Sequence, residues 1–389
     1  MESSRIMKKT IILIILFFLS CQIYSQIGFN VSNEYNKVNK QIAKQTQWMA
    51  KNHLSKNYVI LFAPGFLSNS FTETFIEYCM KLDISVFIKE ALQKFLPEKI
   101  KNLRLGDYYH KQIEFLRNNS IQAHLLEYES EDDPHSNAVE ILKQIIAKTK
   151  YKKAILVTHS KGGVDTGVAL CGWAQLQLNQ KGNFSDLSQK QRNFLAIVKK
   201  NVSPNGNFLN LNNRVHGWIA QESAFRGSPI ADAIVNGNQI LSTFAYGLLK
   251  FLGGSKKSLQ SLVQSVREKW ITENAVFLNY VVKNIPTISI SAYKNNPLGI
   301  YSLQDALIKF KLKEYFDTFL APTRNFMYKK GICSDGLVPW KNSIIDGSDY
   351  VIFNKMDHAA PVMDNFFDNI DRIHFLKVQL QMILNRRNE

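Results

Sequence analysis

The chain has 389 residues, 45% of them hydrophobic, and its 48 Lys and Arg residues outnumber 32 Asp and Glu residues, giving a net charge of +16 at pH 7. Its four cysteines are too few and too widely spaced for a disulfide framework, and they lack the paired spacing of a zinc site. The charges are scattered rather than gathered into a basic arm, which favours a solvated surface over nucleic-acid binding.

The first element in the chain is a hydrophobic leader. Residues 7–10 (MKKT) precede ten uncharged residues, IILIILFFLS, which have the length of a signal-peptide core and are too short to span a bilayer. We therefore expect an exported protein, secreted, periplasmic or on the cell surface, with residues 1–25 as signal peptide and residues 26–389 as one domain. Because residues 18–21 (FLSC) are similar to a lipoprotein box, lipidation of Cys21 stays open, as does an uncleaved anchor helix.

Short runs rich in Val and Ile alternate with helical patterns along the rest of the chain. Strands that are apolar on both faces and are separated by helices indicate a parallel sheet covered on two sides, so the sequence predicts the α/β class. The predicted strands are 58–62, 121–126, 154–157, 215–220, 287–290 and 350–353, and the predicted helices include 137–148, 162–173, 188–199, 303–319 and 368–384.

Two segments are predicted to interrupt this alternation. Residues 175–213 are rich in Asn, Gln and Ser, which indicates an insertion that carries one helix near 188–199. The segment of about 234–282 contains apolar positions near helical spacing and predicts a cap or lid over the site, with a helix pair packed on the body as the alternative. Basic residues in this segment could contact an anionic interface or only keep the helix soluble; they are Lys256, Lys257, Arg267 and Lys269.

Residues 158–162 (THSKG) lie where a predicted buried strand gives way to a predicted helix. In an open α/β sheet, active groups lie at the carboxyl ends of strands, and a serine on such a strained turn projects its hydroxyl above the sheet. Small residues are needed two positions before and after the serine, where Gly162 fits and Thr158 replaces the usual glycine. Ser160 is therefore the candidate nucleophile, and the helix amino terminus at Lys161 offers backbone N–H groups to an oxyanion.

A serine nucleophile needs a base and a carboxylate that orients it, and both follow in the chain. His358 lies on a loop after the strand 350–353, among small neighbours, whereas His374 falls within an amphipathic helical pattern. Asp335 lies in a turn beside a glycine and is the preferred acid, with Asp346 and Asp349 as alternatives. Asp357 adjoins His358 in sequence and is expected to act as a loop or cap residue.

With these residues in view, the chain resembles α/β-hydrolases of the lipase and esterase kind, particularly bacterial triacylglycerol lipases, over residues 58–362. The order Ser160, Asp335, His358 is that of the family, residues 63–66 (APGF) correspond to its His-Gly loop, and residues 222–232 (ESAFRGSPIAD) are similar to its Arg-Gly-Ser segment. Pro64 stands in place of the loop histidine, and Ala224 and Phe225 replace a Pro-His pair.

The resemblance implies an α/β-hydrolase fold, with a mostly parallel sheet, helices on both faces and a helical cap. It also implies that Ser160, His358 and Asp335 cleave acyl esters through an acyl-enzyme, with the N–H groups of Phe66 and Lys161 as oxyanion donors. Lipid or other acyl esters are the expected substrates, with peripheral contact to a lipid interface open. We expect neither a cofactor nor a nucleic-acid partner and predict no metal, because no compact run of oxygen ligands follows His358.

Three other functions remain open at the level of sequence. An acyltransferase or polyester depolymerase would use the same residues with a different acceptor or substrate, and a peptidase is compatible with the same chemistry. A non-catalytic binding protein on a hydrolase scaffold would be expected to have lost at least one of the three residues, and all three are present.

Overall fold

A computed structural model describes residues 28–65, 108–179, 187–237, 256–294, 315–363 and 370–386. The predicted signal peptide, Cys21 and Phe66 therefore lie outside the described residues. None of the helices within the described ranges combines the length and apolarity needed to cross a bilayer.

Six parallel strands form the central sheet of the described residues, in the order β2-β1-β3-β4-β5-β6. All six predicted strands are present; the second is shorter than predicted and the others extend by one to three residues. Nearly every residue of β1, β3, β4 and β5 is buried, as expected for strands covered on both faces. The strands are β1 (Tyr58–Ala63), β2 (Gln122–Leu125), β3 (Lys153–His159), β4 (Val215–Gln221), β5 (Thr287–Ala292) and β6 (Asp349–Phe353).

Twelve α-helices are described around this sheet, together with the short 3₁₀ segments Pro204–Gly206 and Trp340–Ser343. The α-helices are α1 (Ser32–Ala43), α2 (Lys51–Asn57), α3 (His110–Asn118), α4 (Pro134–Lys148), α5 (Lys161–Leu178), α6 (Gln189–Val202), α7 (Leu211–Arg214), α8 (Pro229–Val235), α9 (Lys256–Gln260), α10 (Gln264–Asn284), α11 (Tyr315–Tyr328) and α12 (Arg372–Asn385).

Alternate strand residues face opposite sides of the sheet and build two apolar layers. Ile60 and Phe62 belong to the layer covered by α1, α3 and α12, while Val59 and Leu61 belong to the layer covered by α4, α5, α6 and α10. Burial of each such side chain contributes about 1.5–3 kcal/mol. The sheet is therefore a rigid base that holds in place the turns at the carboxyl ends of its strands.

The polar segment predicted as an insertion contains α6, which begins where the sequence indicates. Ser188 is its N-cap, and a capping box joins Ser188 and Gln191. Leu195 and Val198 pack into the same apolar layer as α4 and α5. One amphipathic face therefore anchors an otherwise polar stretch to the body.

The predicted cap has its C-terminal part on the body of the domain. Helix α10 contributes Ile271, Leu278 and Val281 to the apolar layer that also contains α5. Residues 238–255 of the predicted cap lie outside the described residues. Arg267 is buried, and its Nε donates to the Phe225 carbonyl at 2.9 Å, so this guanidinium is not available to a lipid interface. Residues 303–314 of the predicted helix 303–319 lie outside the described residues, and the described helix α11 runs from Tyr315 to Tyr328.

Candidate active site

The candidate nucleophile lies on a strained turn between β3 and α5. Ser160 has φ 52° and ψ −127°, a backbone conformation that residues other than glycine rarely adopt. Its N–H donates to the Gln221 carbonyl at 3.0 Å, and its own carbonyl accepts from the Gly163 N–H at 3.1 Å. Such strain persists only where the surrounding structure imposes it, and it is typical of functional positions.

Close backbone approach explains the glycines around this turn. A Cβ on Gly162 would lie 2.4 Å from the Pro64 carbonyl oxygen and 2.5 Å from that of Ala63, so only glycine fits there. A Cβ on Gly65 would lie 2.7 Å from the Ser160 Cβ. The loop after β1 therefore lies directly against the serine, as the expected oxyanion loop must.

Thr158, which replaces the usual glycine, is accommodated through its hydroxyl. The Trp218 indole N–H of the neighbouring strand β4 donates to Thr158 Oγ1 at 3.0 Å, and both side chains are fully buried. The hydroxyl that Thr158 brings in place of the usual glycine therefore serves as the acceptor for the Trp218 indole N–H.

We expect Thr158→Val to lower the free energy of unfolding by about 1–3 kcal/mol, because the indole N–H would be left buried without its acceptor. Valine has nearly the same shape, so packing changes little. Chemical denaturation followed by circular dichroism measures the loss, and Thr158→Ser, which keeps the hydroxyl, is the matched control. Equal stability of the valine and serine variants would contradict this role of the hydroxyl.

The structure brings together the three residues that the sequence singles out. Ser160 Oγ lies 2.9 Å from His358 Nε2, and His358 Nδ1 lies 2.8 Å from Asp335 Oδ2. The second oxygen of Asp335 accepts the N–H groups of Leu337 and Val338 at 2.8 and 2.7 Å. Acceptance of three hydrogen bonds suits an ionised carboxylate, so His358 donates from Nδ1 and its Nε2 is left to accept the serine proton.

The alternative acids are engaged elsewhere. Asp346 forms a salt bridge with Arg226, and Asp349 accepts from Arg386 Nε at 2.8 Å. Arginine pairing rather than histidine pairing therefore accounts for these two carboxylates.

The remaining alternatives have structural roles. Asp357 Oδ1 accepts the N–H groups of Ala359 and Ala360, at 3.0 and 3.1 Å, and so caps the turn after His358. His374 lies in α12, where its Nε2 is 2.6 Å from Asn39 Oδ1. Neither residue reaches Ser160 through a described contact.

Of the two predicted oxyanion donors, only Lys161 is described. It is the first residue of α5, so its N–H belongs to the group without an intrahelical acceptor and lies at the positive end of the helix dipole. Its side chain is fully buried and reaches Asp165, with Nζ 2.9 and 3.1 Å from the two carboxylate oxygens. Asn137 also donates to Asp165 at 2.9 Å, and burial raises the pKa of this carboxyl.

Sequence reasoning missed two buried groups beside His358. The His159 ring donates from Nε2 to the His358 carbonyl at 2.7 Å, and burial together with His358 lowers the pKa of His159 well below its usual range. Glu222 follows β4, and its Oε2 lies 3.5 Å from His159 Nε2 and 3.9 Å from His358 Nδ1. The available signal was the position of Glu222 directly after a buried strand. Because the carboxyl ends of parallel strands meet at one edge of the sheet, such a residue is expected near the site at the end of β3.

His159, Glu222 and His358 are close enough to raise the question of a metal ion. The His159 nitrogen nearest Glu222 carries a proton, because it donates to a carbonyl, and the corresponding His358 nitrogen donates to Asp335. A metal ligand must offer a lone pair, so these nitrogens do not fit a shared ion in this arrangement. Asp364 and Asp368, which come after His358 in sequence, lie outside the described residues.

Comparison with family models and with curated proteins finds no match. Among solved structures, the metagenomic carboxyl esterase MGS0156 is similar over 85% of this chain and 76% of its own, with 16% identity and a TM-score of 0.50. The mature lipase BlEst2 of Bacillus licheniformis matches over 84% and 92%, with 15% identity and a TM-score of 0.49. EstA of Clostridium botulinum matches over 90% and 97%, with 11% identity and a TM-score of 0.41.

The sheet, the turn at the end of its strand β3 and the likeness to MGS0156 define the fold. The chain has the α/β-hydrolase fold, the type seen in lipase and esterase structures. The predicted α/β class, with a parallel sheet and helices on both faces, is thereby confirmed, and the helical cap stays a prediction. A fold alone does not assign an activity, so function has to be argued from the site.

Proposed function

We propose that this protein is an exported serine ester hydrolase, a lipase or carboxylesterase, with Ser160, His358 and Asp335 as its catalytic triad. The observation that carries the proposal is the continuous chain of hydrogen bonds from hydroxyl to imidazole to carboxylate, 2.9 and 2.8 Å long. The charged stub and apolar run of residues 7–20 support export.

In the proposed reaction, Ser160 Oγ attacks the ester carbonyl carbon while His358 Nε2 takes its proton. Asp335 holds the Nδ1 proton, which sets the tautomer, and stabilises the imidazolium that forms. The tetrahedral intermediate collapses as Nε2 returns a proton to the departing alcohol. Water then repeats the sequence on the acyl-enzyme, releasing the acid and restoring the serine.

Negative charge on the tetrahedral oxygen would be met by the N–H groups of Lys161 and Phe66. Support comes from the position of Lys161 at the amino terminus of α5 and from the contact of Gly65 with Ser160. Phe66 comes directly after Gly65 in the chain and lies outside the described residues, so its part in the oxyanion hole is carried over from the family resemblance.

The ester class of substrate is supported by the structural likeness to a carboxyl esterase, MGS0156. The test is hydrolysis of nitrophenyl esters from acetate to palmitate, and of emulsified glycerides, by the purified protein. We expect release of the acid to water, with little transfer to an added alcohol. Preference for long emulsified chains would define a lipase, and preference for short soluble esters a carboxylesterase.

Two results would contradict the proposal. Failure of the folded protein to hydrolyse any ester in the series would remove the assigned activity. Acyl transfer to the added alcohol in preference to water would replace hydrolase with acyltransferase.

A further inference from the structure

Glu222 is a buried carboxyl for which no structural partner is evident. It is fully buried at the carboxyl end of β4, and neither carboxyl oxygen has a hydrogen-bond partner among the residues that the structure describes. Its φ of 46° places it in the left-handed region, although it is not a glycine. Burial of an unpaired carboxyl and a strained backbone both cost free energy, so stability alone does not account for the residue.

The position of Glu222 relates it to the triad. Its Oε2 lies 3.9 Å from His358 Nδ1, the same nitrogen that donates to Asp335 Oδ2 at 2.8 Å. Two carboxyl groups, one directly after β4 and one on the loop after α11, therefore converge on one ring nitrogen. Asp335 holds the proton of that nitrogen, and the Glu222 carboxyl is about 1 Å beyond hydrogen-bond distance from it.

The surroundings of Glu222 keep it uncharged while Asp335 is ionised. Burial raises the pKa of Glu222 well above its usual range, and the charges of Asp335 and Asp357 add to the effect. Among the described residues, the other titratable groups that face Glu222 supply no compensating cation: burial lowers the pKa of His159 and raises the pKa of both Tyr108 and Tyr109. Like charges so close together cannot both ionise easily, so the better hydrogen-bonded Asp335 is the anion.

We propose that Glu222 is a second acid for His358. It is a positioning residue that ionises and holds the Nδ1 proton of His358 when the charge of Asp335 is absent. This inference rests on the proposed triad. Loss of Asp335 removes one of the two like charges that oppose ionisation of Glu222. Once ionised, Glu222 selects the productive tautomer of His358 and stabilises the imidazolium, as Asp335 does in the intact site.

The experiment compares four proteins by kcat/KM across pH: wild type, Asp335→Ala, Glu222→Gln and the double variant. Asp335→Ala should lose about 10³ to 10⁴ in rate on the acid side, where Glu222 is neutral. As the pH rises and Glu222 loses its proton, Asp335→Ala should recover at least about tenfold relative to the double variant. The double variant keeps the titration of His358 but has no carboxyl at position 222, so the difference between the two pH profiles reports the ionisation of Glu222.

Two further variants separate this role from a structural one. Asp335→Asn keeps an acceptor for the N–H groups of Leu337 and Val338, so it supplies a second background if the alanine variant unfolds. Glu222→Asp retains the charge but withdraws it by one methylene, and should keep the alkaline rise at a lower amplitude. A residue that only fills space would not confer a rise with pH that depends on a carboxyl at position 222.

The inference is overturned if the Asp335 variants have the same pH profile with and without Glu222. In that case the triad still stands, provided that Ser160→Ala is inactive. If Ser160→Ala is as active as wild type, the proposed function fails first, and the role of Glu222 fails with it.

Discussion

Ser160→Ala is expected to lower kcat toward nitrophenyl esters by about four to six powers of ten, because the hydroxyl that forms the acyl-enzyme in the proposed mechanism is gone. The backbone at this position is strained in both proteins, since φ 52° is unfavourable for alanine and serine alike. The fold should therefore be retained, and circular dichroism should give matching spectra. The variant should keep only a small residual rate, which comes from the groups that still bind the substrate.

A matched control for this substitution is Ser223→Ala. Ser223 is equally well buried and donates to the Ser160 carbonyl at 3.1 Å, but no contact with His358 is described for it. Removing one such hydrogen bond costs about 1 kcal/mol, so a loss of less than about tenfold is expected. Comparable losses in the two variants would show that the site is sensitive to any change at the turn and would contradict a special role for Ser160.

Lys161→Met is expected to lower the free energy of unfolding by about 3–5 kcal/mol, because Asp165 would be left as an uncompensated buried charge. Asn137 alone cannot replace the cation. The pKa of Asp165 is already raised by burial, and losing Lys161 raises it further. An acid with a raised pKa contributes stability below its unfolded pKa and loses it as pH rises through the folded value. The destabilisation should therefore be largest near neutral pH and smallest in acid.

Denaturant unfolding at several pH values measures this effect, and Lys143→Met is the matched control. Lys143 pairs with Glu140 at 2.7 Å on the surface, with both side chains about half exposed, so its loss should cost less than about 1 kcal/mol. Replacing both members of the buried pair, as in Lys161→Met with Asp165→Leu, should recover much of the stability. Equal effects of Lys161→Met and Lys143→Met would contradict the account of the buried pair.

Most of the sheet could be predicted because its strands are short, apolar on both faces and separated by helices. Ser160 was also visible, since a buried strand that ends in a serine with Gly162 beyond it is typical of a nucleophile elbow. Asp335 could be preferred but not separated from Asp346 and Asp349. That distinction depends on arginines far away in sequence, which the fold brings to the other two carboxylates.

The surroundings of Glu222 were hidden from the sequence for a physical reason. Sequence reasoning used residues 222–232 only for their family resemblance, and the groups that face Glu222 come from distant parts of the chain: His159, Asp335 and His358. The cap stays a prediction, because the apolar positions 241–252 that suggest it lie outside the described residues. From the same predicted segment, α10 packs Ile271 and Leu278 into the apolar layer that also contains α5.

The central claim is that Ser160 is a nucleophile activated by His358, and labelling with a fluorophosphonate tests it most directly. The serine oxygen displaces fluoride from phosphorus, which leaves a covalent adduct that peptide mapping locates. We predict one adduct, on the tryptic peptide of residues 154–161, absent in Ser160→Ala and formed far more slowly in His358→Ala. A folded wild-type protein that stays unlabelled, or that carries the adduct on another peptide, would contradict the account.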